Sequence, residues 1–527
     1  MSRSFRIRNP QGGTVAAGHA ATAEAGAAIL RMGGNAVDAA IAAVITSFIA
    51  EPVLTAAGGG GFMLIAGGKG KDALYDGFAR MPSGRTNTAL KSIPIDFGDS
   101  VQTFHIGQGS VAPPSLLAML FAAHKDRGCL PLAEAMAPGL DAARSGIRLN
   151  ALQASFIELL RPILTDRSDC TALHAPHGEL LATGELFCNR SLAATLEMLL
   201  IEGIDEMYHG DLARAVVGSC MPHGLLTMDD MRASQFQIRT PLATPLFGGT
   251  LLTNPPPSSG GLLIAYAATL LDQLHGEADI QLLLAECLHA ASLLRSERFD
   301  ARIHEHNITS HTLAPEQIQR ACATLRHRLR NPADQQPLPE AGNRHGSTTH
   351  ISIVDGDGMA VSVTTSNGEG SGIVVPDTGI HLNNMLGEAD INPLGLHALP
   401  AGTTLSSMMA PSVFIKNGRP SLVLGSGGSN RLRGAILQVL SRHLLLGQAI
   451  EPAVHAPRLH NEAMTLDTEP GCLTESEQKQ LSALGWSIRG WRRTSVYFGG
   501  VHAIAIDARG QIQAAGDPRR GGAAACV

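Results

Sequence analysis

The sequence predicts a large mixed α/β (α+β) protein, with helices dominating the first part of the chain and strands the last third. Ala-rich and amphipathic helical patterns occur between residues 20 and 50 and again from about Pro113 to Leu200. After Thr348, apolar and polar residues alternate with the period of two that is typical of strands. The 58 glycines follow no regular period, which indicates many tight turns rather than a fibrous or disordered chain.

The size and composition of the chain limit the classes of function. A length of 527 residues suggests about three domains, although one large α/β unit also fits. The formal charge is −6 and no run of basic residues occurs, so we expect no nucleic-acid partner. The eight cysteines form no CxxC pair, which favours free thiols in a reducing compartment.

No segment has the pattern of a membrane span or a signal peptide. The longest apolar run, residues 36–54, is interrupted by Asp38 and Glu51 and predicts a buried helix. The first residues are basic but are not followed by an apolar stretch. We therefore expect a cytoplasmic protein with no membrane partner.

Two glycine-containing segments shape the first hundred residues. Gly33-Gly34-Asn35 separates two helical patterns, and Asn35 is a suitable N-cap for the second helix. Residues 58–61 are four glycines that lead into an apolar strand. A phosphate-binding loop would instead join a strand to a helix and would carry a GK[ST] signature, so nucleotide binding is disfavoured.

The segment from about residue 304 to residue 347 is polar and predicts a surface linker. One short helix near Ile318 to Leu329 is the exception to its weak periodicity. The segment also contains His304, His306 and His311, which are metal-ligand types. No carboxylate or cysteine framework of known spacing accompanies them, so solvated histidines are favoured and no metal is expected.

The sequence predicts a series of β-hairpins in the last third of the chain. Asp355-Gly356-Asp357-Gly358 and Asn417-Gly418 are turn signals between alternating strands. A further strand is predicted at residues 379–385, and a helix at about Arg431 to Leu446.

Three consecutive hydroxyl residues, Ser347, Thr348 and Thr349, stand immediately before the first of these strands. A hydroxyl is a weak nucleophile that needs a base. No G-x-S-x-G elbow occurs, although a Ser-His-Asp set remains open among 21 histidines. A chain cut before a Thr would instead use the new α-amine, whose pKa is about 8, as the base. The structural alternative is that these hydroxyls only begin a strand.

Motifs along nearly the whole chain resemble γ-glutamyltranspeptidases. The segment 346–393 is similar to the start of the small subunit of that family, and further matching motifs lie at residues 33–43, 58–65, 254–261, 404–413 and 425–431. The family consists of self-cleaving N-terminal nucleophile hydrolases with a four-layer αββα sandwich. The resemblance implies cleavage between Ser347 and Thr348, giving a large subunit, 1–347, and a small subunit, 348–527. The large subunit would contain a helical region at about 113–330 and the linker at about 304–347.

The resemblance also implies catalytic roles for four residues. Thr348 would attack the amide carbonyl and form an acyl-enzyme, which water or an amine would then release. Ser366 stands where the family has a second Thr that hydrogen-bonds the nucleophile and assists cleavage. Gly428 and Ser429 fall on the glycine pair whose backbone N–H groups form the oxyanion hole. Because that contact uses the main chain, a serine can still supply it.

The substrate-binding positions match less well. Asn367 corresponds to an asparagine that holds the substrate, and Ser406 and Ser407 to a Ser-Ser pair that contacts the donor carboxylate. Glu388 replaces an Asp that binds the α-amine, and Met385 replaces a nearby Gln.

The family's carboxylate-binding arginine is missing. Phe78 stands at its position and Ala79 at that of the following Glu. Arg80 lies two residues further along, on the same face of a strand and about 7 Å away. Either Arg80 or another cation replaces the lost clamp, or the donor is not a γ-glutamyl group.

The leading expectation is an enzyme without a cofactor that cleaves γ-glutamyl amides of the glutathione type. One alternative is an acylase for a non-glutamyl, glutaryl-like group, which would suit Phe78 and Met385. The other is an unprocessed, inactive binding protein. The expected partners are the small-molecule acyl amide and the two subunits of one precursor, with a homodimer of processed heterodimers as the assembly.

Overall fold

Two antiparallel β-sheets stack at the centre of the protein, and helices cover their outer faces. The computed structural model describes residues 12–84, 90–96, 101–233, 236–295, 297–331 and 347–527. The strands are β1 (Gly13–Ala17), β2 (Gly60–Ala66), β3 (Ala73–Gly77), β4 (Lys91–Asp96), β5 (Val101–Ile106), β6 (Ile147–Arg148), β7 (Leu186–Phe187), β8 (Gln237–Arg239), β9 (Leu242–Leu246), β10 (Gly249–Thr253), β11 (Thr349–Asp355), β12 (Ala360–Ser366), β13 (Ser412–Lys416), β14 (Arg419–Gly427), β15 (Leu459–Glu462), β16 (Thr465–Thr468), β17 (Ser487–Gly490), β18 (Gly500–Ile506), β19 (Ile512–Ala515) and β20 (Ala523–Cys526).

Helices occupy most of the chain between β5 and β8 and recur on either side of β11 to β14. They are α1 (Ala20–Arg31), α2 (Ala36–Ala50), α3 (Leu116–Arg127), α4 (Leu132–Ser145), α5 (Ala151–Leu159), α6 (Arg161–Leu164), α7 (Ser168–His174), α8 (Arg190–Glu202), α9 (Asp205–His209), α10 (Asp211–Ser219), α11 (Met228–Arg232), α12 (Ser259–Leu274), α13 (Ile280–Leu294), α14 (Glu297–Arg302), α15 (Ile308–Thr312), α16 (Pro315–Arg330), α17 (Arg431–Leu444), α18 (Ile450–His455) and α19 (Glu475–Ala483).

The two large sheets interleave the parts of the chain before and after Thr348. The first sheet has the strand order β20-β1-β11-β12-β2-β3-β8, and the second has the order β19-β18-β14-β13-β10-β9. Every neighbouring pair in both sheets is antiparallel. The nucleophile candidate therefore directly precedes β11, a central strand of the first sheet.

Three apolar layers separate four layers of secondary structure. Val15, on β1, packs toward α1 and α2, whereas its neighbour Ala16 faces the space between the sheets. On β14, Val423 fills that central space, while Leu422 and Leu424 pack with α12, α13 and α17. This alternation follows from the period of two in a strand. The predicted αββα sandwich is confirmed.

Local sequence signals account for several element boundaries. The side chain of Asn35 accepts the backbone N–H groups of Val37 and Asp38, and Asp38 returns a bond to the Asn35 N–H, so a capping box begins α2. The turn between β13 and β14 has φ of 51° at Asn417 and 74° at Gly418, as the Asn-Gly pair predicts.

The helix predicted near Ile318 to Leu329, within the segment predicted to be a linker, is confirmed as α16. Helices α15 and α16 lie within residues 304–331, and Ile318, Cys322 and Leu325 of α16 are buried against the second core. The apolar stripe of α16 is narrow and the rest of the helix is mostly polar and charged, so the sequence predicted the helix but not its packing on the core. Residues 332–346 lie outside the described part of the chain.

The strand predicted at residues 379–385 is also absent as a ladder. The structure has only isolated bridges there, including that between Gly58 and Leu382. The amide of Asn383 instead bonds the main chain of Gly58 and Ala112, and these side-chain contacts replace strand pairing.

Neither membrane-spanning helices nor metal clusters occur among the residues that the structure describes. None of their helices has both the length and the apolar composition to cross a bilayer. No group of three or more His, Cys, Asp or Glu side chains among them is arranged to hold a metal ion.

Candidate active site

The ends of three strands meet around Thr348. Thr348 directly precedes β11, Ser366 ends β12, and Gly427 ends β14 of the second sheet. A Cβ atom on Gly427 would lie 2.2 Å from the carbonyl oxygen of Thr348, so the two backbones approach as closely as only glycine allows. The site thus lies at one end of the sandwich, where both sheets contribute.

Hydrogen bonds from three segments hold the main chain around the Ser347–Thr348 peptide bond. The hydroxyl of Ser366 donates to the carbonyl oxygen of Ser347 at 2.5 Å. The N–H of Ser347 donates to Oε1 of Glu369 at 2.9 Å, and Nη1 of Arg520 donates to the carbonyl oxygen of Thr348 at 3.1 Å. The Ser347 carbonyl is therefore both oriented and polarised beside the Thr348 hydroxyl.

The loop after β14 presents backbone N–H groups in an unusual conformation. Gly428 has φ of 120°, and Ser429 has φ of 48°, a left-handed conformation that is uncommon for serine. Across the described ranges, neither N–H group has a hydrogen-bond partner, while the Ser429 hydroxyl donates to Asp390. Free N–H groups at this place have the chemistry of an oxyanion hole.

A small cavity adjoins the Ser347–Thr348 bond. Its volume is about 40 Å³, which has room for a few water molecules. It is lined by Phe78, Ser347, Thr348, Ser366, Met385, Glu388, Asp390, Ile391, Ser407, Met408, Met409, Ser429 and Leu432. Because Ser347 itself forms part of the wall, removal of the segment before Thr348 would enlarge the cavity.

Two apolar departures from the donor-binding pattern lie in this cavity. Phe78 and Met385 line it, and the ring of Phe78 stacks on Phe62 with ring centroids 5.2 Å apart. Glu388 and Ser407 also line it and supply polar groups. One side of the cavity is consequently apolar where the family pattern has a cation.

Arg80 is not brought to the cavity. It forms an isolated bridge with Thr404, and its neighbouring charges are Asp76 and Arg239. Burial lowers the pKa of the Arg80 guanidinium, against the opposing effect of Asp76. The geometry gives no support to Arg80 as a replacement for the missing arginine.

Asn367 and Ser406 directly adjoin the lining residues Ser366 and Ser407 in sequence, but they do not line the cavity themselves. The Asn367 side-chain amide donates to the carbonyl of Leu382 at 3.4 Å, and the Ser406 hydroxyl donates to that of Ser259 at 3.2 Å. Both side chains are buried and stabilise the loops that carry the lining residues.

Three carboxyl groups converge next to the cavity. Burial, with a smaller contribution from the nearby Asp390, raises the pKa of Glu369 to about 8, against the lowering effect of hydrogen bonds from Ser347. Burial also raises the pKa of Glu388 well above its ordinary value, with added repulsion from Glu369 and Asp390. A concentration of acid groups of this kind is typical of functional sites and would favour a cationic group on a ligand.

The structure adds two residues that sequence reasoning missed. Glu369 and Arg520 contact the main chain on the two sides of the Ser347–Thr348 bond. The signals were an acid between two glycines, Gly368 and Gly370, and an arginine pair that begins three residues after Gly516. Neither pattern is specific without the fold that brings residues 347, 369 and 520 together.

Comparisons with known proteins give matches over nearly the whole chain. A family model described as γ-glutamyltranspeptidase matches residues 22–527. A glutathione hydrolase proenzyme of Pseudomonas aeruginosa is 30% identical, covering 96% of this chain and 93% of the relative. The acylase ACY 1 proenzyme of Pseudomonas sp. (strain V22) is 28% identical, covering 95% and 91%. The cephalosporin acylase structure from Bacillus halodurans has a TM-score of 0.83 at 23% identity, covering 100% of this chain and 97% of that one.

Proposed function

The chain belongs to the γ-glutamyltranspeptidase family, and we propose that it is a self-processing N-terminal nucleophile amidohydrolase whose nucleophile is Thr348. The observation that carries the proposal is the contact of the Ser366 hydroxyl with the Ser347 carbonyl at the bond to be cleaved. Relatives named as proenzymes support processing into a large and a small subunit.

The proposed self-cleavage uses the groups that surround the Ser347–Thr348 bond. The Thr348 oxygen attacks the Ser347 carbonyl carbon, so that a C–O bond forms and the C–N bond breaks. The nitrogen takes the hydroxyl proton and becomes the free α-amine of Thr348. Water then hydrolyses the ester and releases residues 1–347 with a new carboxylate. The negative charge that develops on the Ser347 oxygen is stabilised by the Ser366 hydroxyl.

The processed enzyme would use the same groups for turnover. The α-amine, with a reference pKa of about 8, accepts the proton of the Thr348 hydroxyl as it attacks the substrate amide. The N–H groups of Gly428 and Ser429 stabilise the oxyanion, and water or an amine releases the acyl group. No step requires a cofactor.

The donor that we propose is a γ-glutamyl amide of the glutathione type. Glu388 supports this choice, because an acid in the cavity suits the α-ammonium group of such a donor. Asn367, Ser406 and Ser407 complete the proposed binding region. Phe78 and Met385 favour a second candidate, an acylase for glutaryl-like or less polar acyl groups, since both replace polar partners of the donor.

Denaturing gels test the nucleophile. Wild-type protein of 55.1 kDa should give fragments near two thirds and one third of that mass, since the cut falls after residue 347 of 527. The smaller fragment should begin with Thr348. The Thr348→Ala variant should remain intact, whereas Thr348→Ser, which keeps a hydroxyl, should still be cut. If the wild-type protein stays intact after prolonged incubation, the result would favour the alternative of an unprocessed, inactive binding protein.

A panel of γ-glutamyl and glutaryl anilides then separates the two enzymatic candidates. Turnover of the first with little of the second supports the glutathione-type donor, and the reverse supports the acylase. A homodimer of processed heterodimers and a reducing compartment such as the cytoplasm complete the proposal. All eight cysteines are free thiols, which agrees with such a compartment.

A further inference from the structure

Glu369 is a buried acid at the scissile bond that has no part in the chemistry above. Its side chain is 1% exposed, and Oε1 accepts the N–H of Ser347 at 2.9 Å. A hydrogen bond from the Ser347 side chain also favours the ionised carboxyl. Among the described residues, the hydrogen-bond donors to this carboxyl all belong to Ser347, and Oε2 has no partner. The acid therefore contacts the residue that self-cleavage releases.

The backbone fixes the position of this carboxyl independently of Ser347. Gly368 and Gly370, on either side of it, have φ of 61° and 83°, which confines the turn to glycine. A Cβ atom on Gly370 would lie 2.4 Å from the ring of His381. The N–H of Glu369 donates to Oδ1 of Asn384 at 2.9 Å.

The charges around Glu369 do not offset the free-energy cost of burying its carboxyl group. The charged groups that act on it from the neighbouring segment are the carboxyl groups of Glu388 and Asp390, which repel it. The His381 ring, on the other side of the turn, is buried and its pKa is lowered to about 3, so it is neutral. A buried acid without a cation is costly to stability and is therefore characteristic of functional positions.

We propose that Glu369 is a positioning residue for self-cleavage, which holds the N–H of Ser347 so that the carbonyl of the same residue stays on the Ser366 hydroxyl. Hydrogen bonds at both ends of Ser347 fix its rotation about the two backbone dihedrals. The carbonyl carbon is then presented to the Thr348 oxygen in one orientation, which is the requirement for fast intramolecular attack. Glu369 can act in this way only if the chain cleaves itself as proposed above.

The test measures self-cleavage rates of the full-length chain on denaturing gels between pH 6 and pH 9. Glu369→Leu, which removes the acceptor, should cleave about 10- to 100-fold more slowly at pH 9, where the wild-type carboxyl is ionised, as expected for loss of a hydrogen bond to a charged group. Glu369→Gln keeps an acceptor oxygen and should stay within about fivefold of wild type at pH 7. Ionisation strengthens the carboxyl as an acceptor, so the wild-type rate should rise around pH 8, and this rise should be absent in Glu369→Gln.

A matched substitution at an exposed acid, Glu451→Leu, should leave the rate and its pH profile unchanged. Circular dichroism would show whether Glu369→Leu is folded; if it is not, the pH profile of Glu369→Gln decides. Equal rates for folded Glu369→Leu and wild type would overturn the positioning role, as would an unchanged pH profile in Glu369→Gln. An uncut wild-type chain would instead overturn self-cleavage itself, and this role with it.

Discussion

The hydroxyl of Ser366 lies 2.5 Å from the carbonyl oxygen of Ser347, and a hydrogen bond from the main chain of Gly368 orients it. The N–H of Gly368 donates to the Ser366 oxygen at 3.0 Å, which leaves the hydroxyl proton free for the Ser347 carbonyl. The contact joins the end of β12 to the bond that precedes β11, although 19 positions separate the two residues. A hydroxyl on that carbonyl assists attack on its carbon, because charge accumulates on the oxygen as the tetrahedral species forms.

Removal of this hydroxyl should slow self-cleavage. We expect Ser366→Ala to be cut about 100-fold more slowly than wild type, the usual effect of losing one donor to a developing oxyanion. Ser366→Thr keeps the hydroxyl and should be cut at a rate close to wild type. The rates are read from denaturing gels, with Ser421→Ala in the β13–β14 hairpin as the control. Rapid cleavage of Ser366→Ala would show that the contact has no kinetic role.

The left-handed conformation of Ser429 predicts an effect on stability. Ser429→Gly and Ser429→Ala both lose the hydroxyl contact with Asp390, but only glycine adopts φ of 48° without strain. The glycine variant should therefore have a free energy of unfolding about 1 kcal/mol larger than the alanine variant. Denaturant titration of the two proteins measures the difference. Equal stability, or a more stable alanine variant, would show that the left-handed backbone at position 429 is not strained by a side chain.

Both Ser429 variants keep the backbone N–H that the proposed oxyanion hole uses. Their turnover of an acyl anilide should therefore stay within a few-fold of wild type, in contrast to the loss expected from Thr348→Ala. A large loss in both variants would indicate that the hydroxyl, rather than the amide, acts on the substrate.

The sequence predicted the framework of the fold because its signals are local. The capping box at Asn35, the Asn417-Gly418 turn and the alternation on β11 each depend on a few adjacent residues. The helix predicted near Ile318 to Leu329 is present as α16, but its packing on the core was not predicted, because only Ile318, Cys322 and Leu325 face the core there. That narrow stripe becomes informative only when the second sheet and α12 are in place.

The site was predictable only in part for the same reason. Thr348 could be singled out from its place before a strand, and the family pattern added Ser366 and the loop at Gly428. Glu369 and Arg520 contact the main chain of Ser347 and Thr348, respectively. These contacts join residues that are distant in sequence and form only in the folded chain. For Arg80, in contrast, the sequence suggested a role that the structure does not support. Its spacing along a strand suggested a residue of the cavity, whereas the structure places Arg80 beside Asp76 and Arg239.

A buried acid next to the nucleophile predicts a pH-dependent stability. Glu51 accepts hydrogen bonds from the hydroxyls of Thr22 and Thr349, and burial raises its pKa from 4.5 to about 7, against the lowering effects of those bonds and of Arg520. The folded state thus holds this proton more tightly than the unfolded state. The contribution of Glu51 to stability is full below pH 4.5 and is lost as the pH rises toward 7, by about 3 kcal/mol.

Urea titrations of wild type and Glu51→Gln at several pH values between 4.5 and 8 measure this contribution. The free energy of unfolding of wild type minus that of the variant should fall by about 3 kcal/mol across the interval, because glutamine does not titrate. Glu451→Gln, at an exposed position, should show no such change. A difference that is constant with pH would mean that the pKa of Glu51 is the same in the folded and the unfolded state.

Phe78 predicts which acyl groups the processed enzyme prefers. Its ring lines the cavity and stacks on Phe62, at the position where the family pattern has a carboxylate-binding arginine. Phe78→Arg should raise the kcat/KM ratio of γ-glutamyl anilide over pentanoyl anilide at least about tenfold, because a charged hydrogen bond to a carboxylate contributes about 1.5–3 kcal/mol. Phe78→Leu is the matched control and should leave the ratio near that of wild type. If a folded and self-cleaved Phe78→Arg enzyme has an unchanged ratio, the carboxylate of the donor binds elsewhere, and residue 78 does not set the specificity.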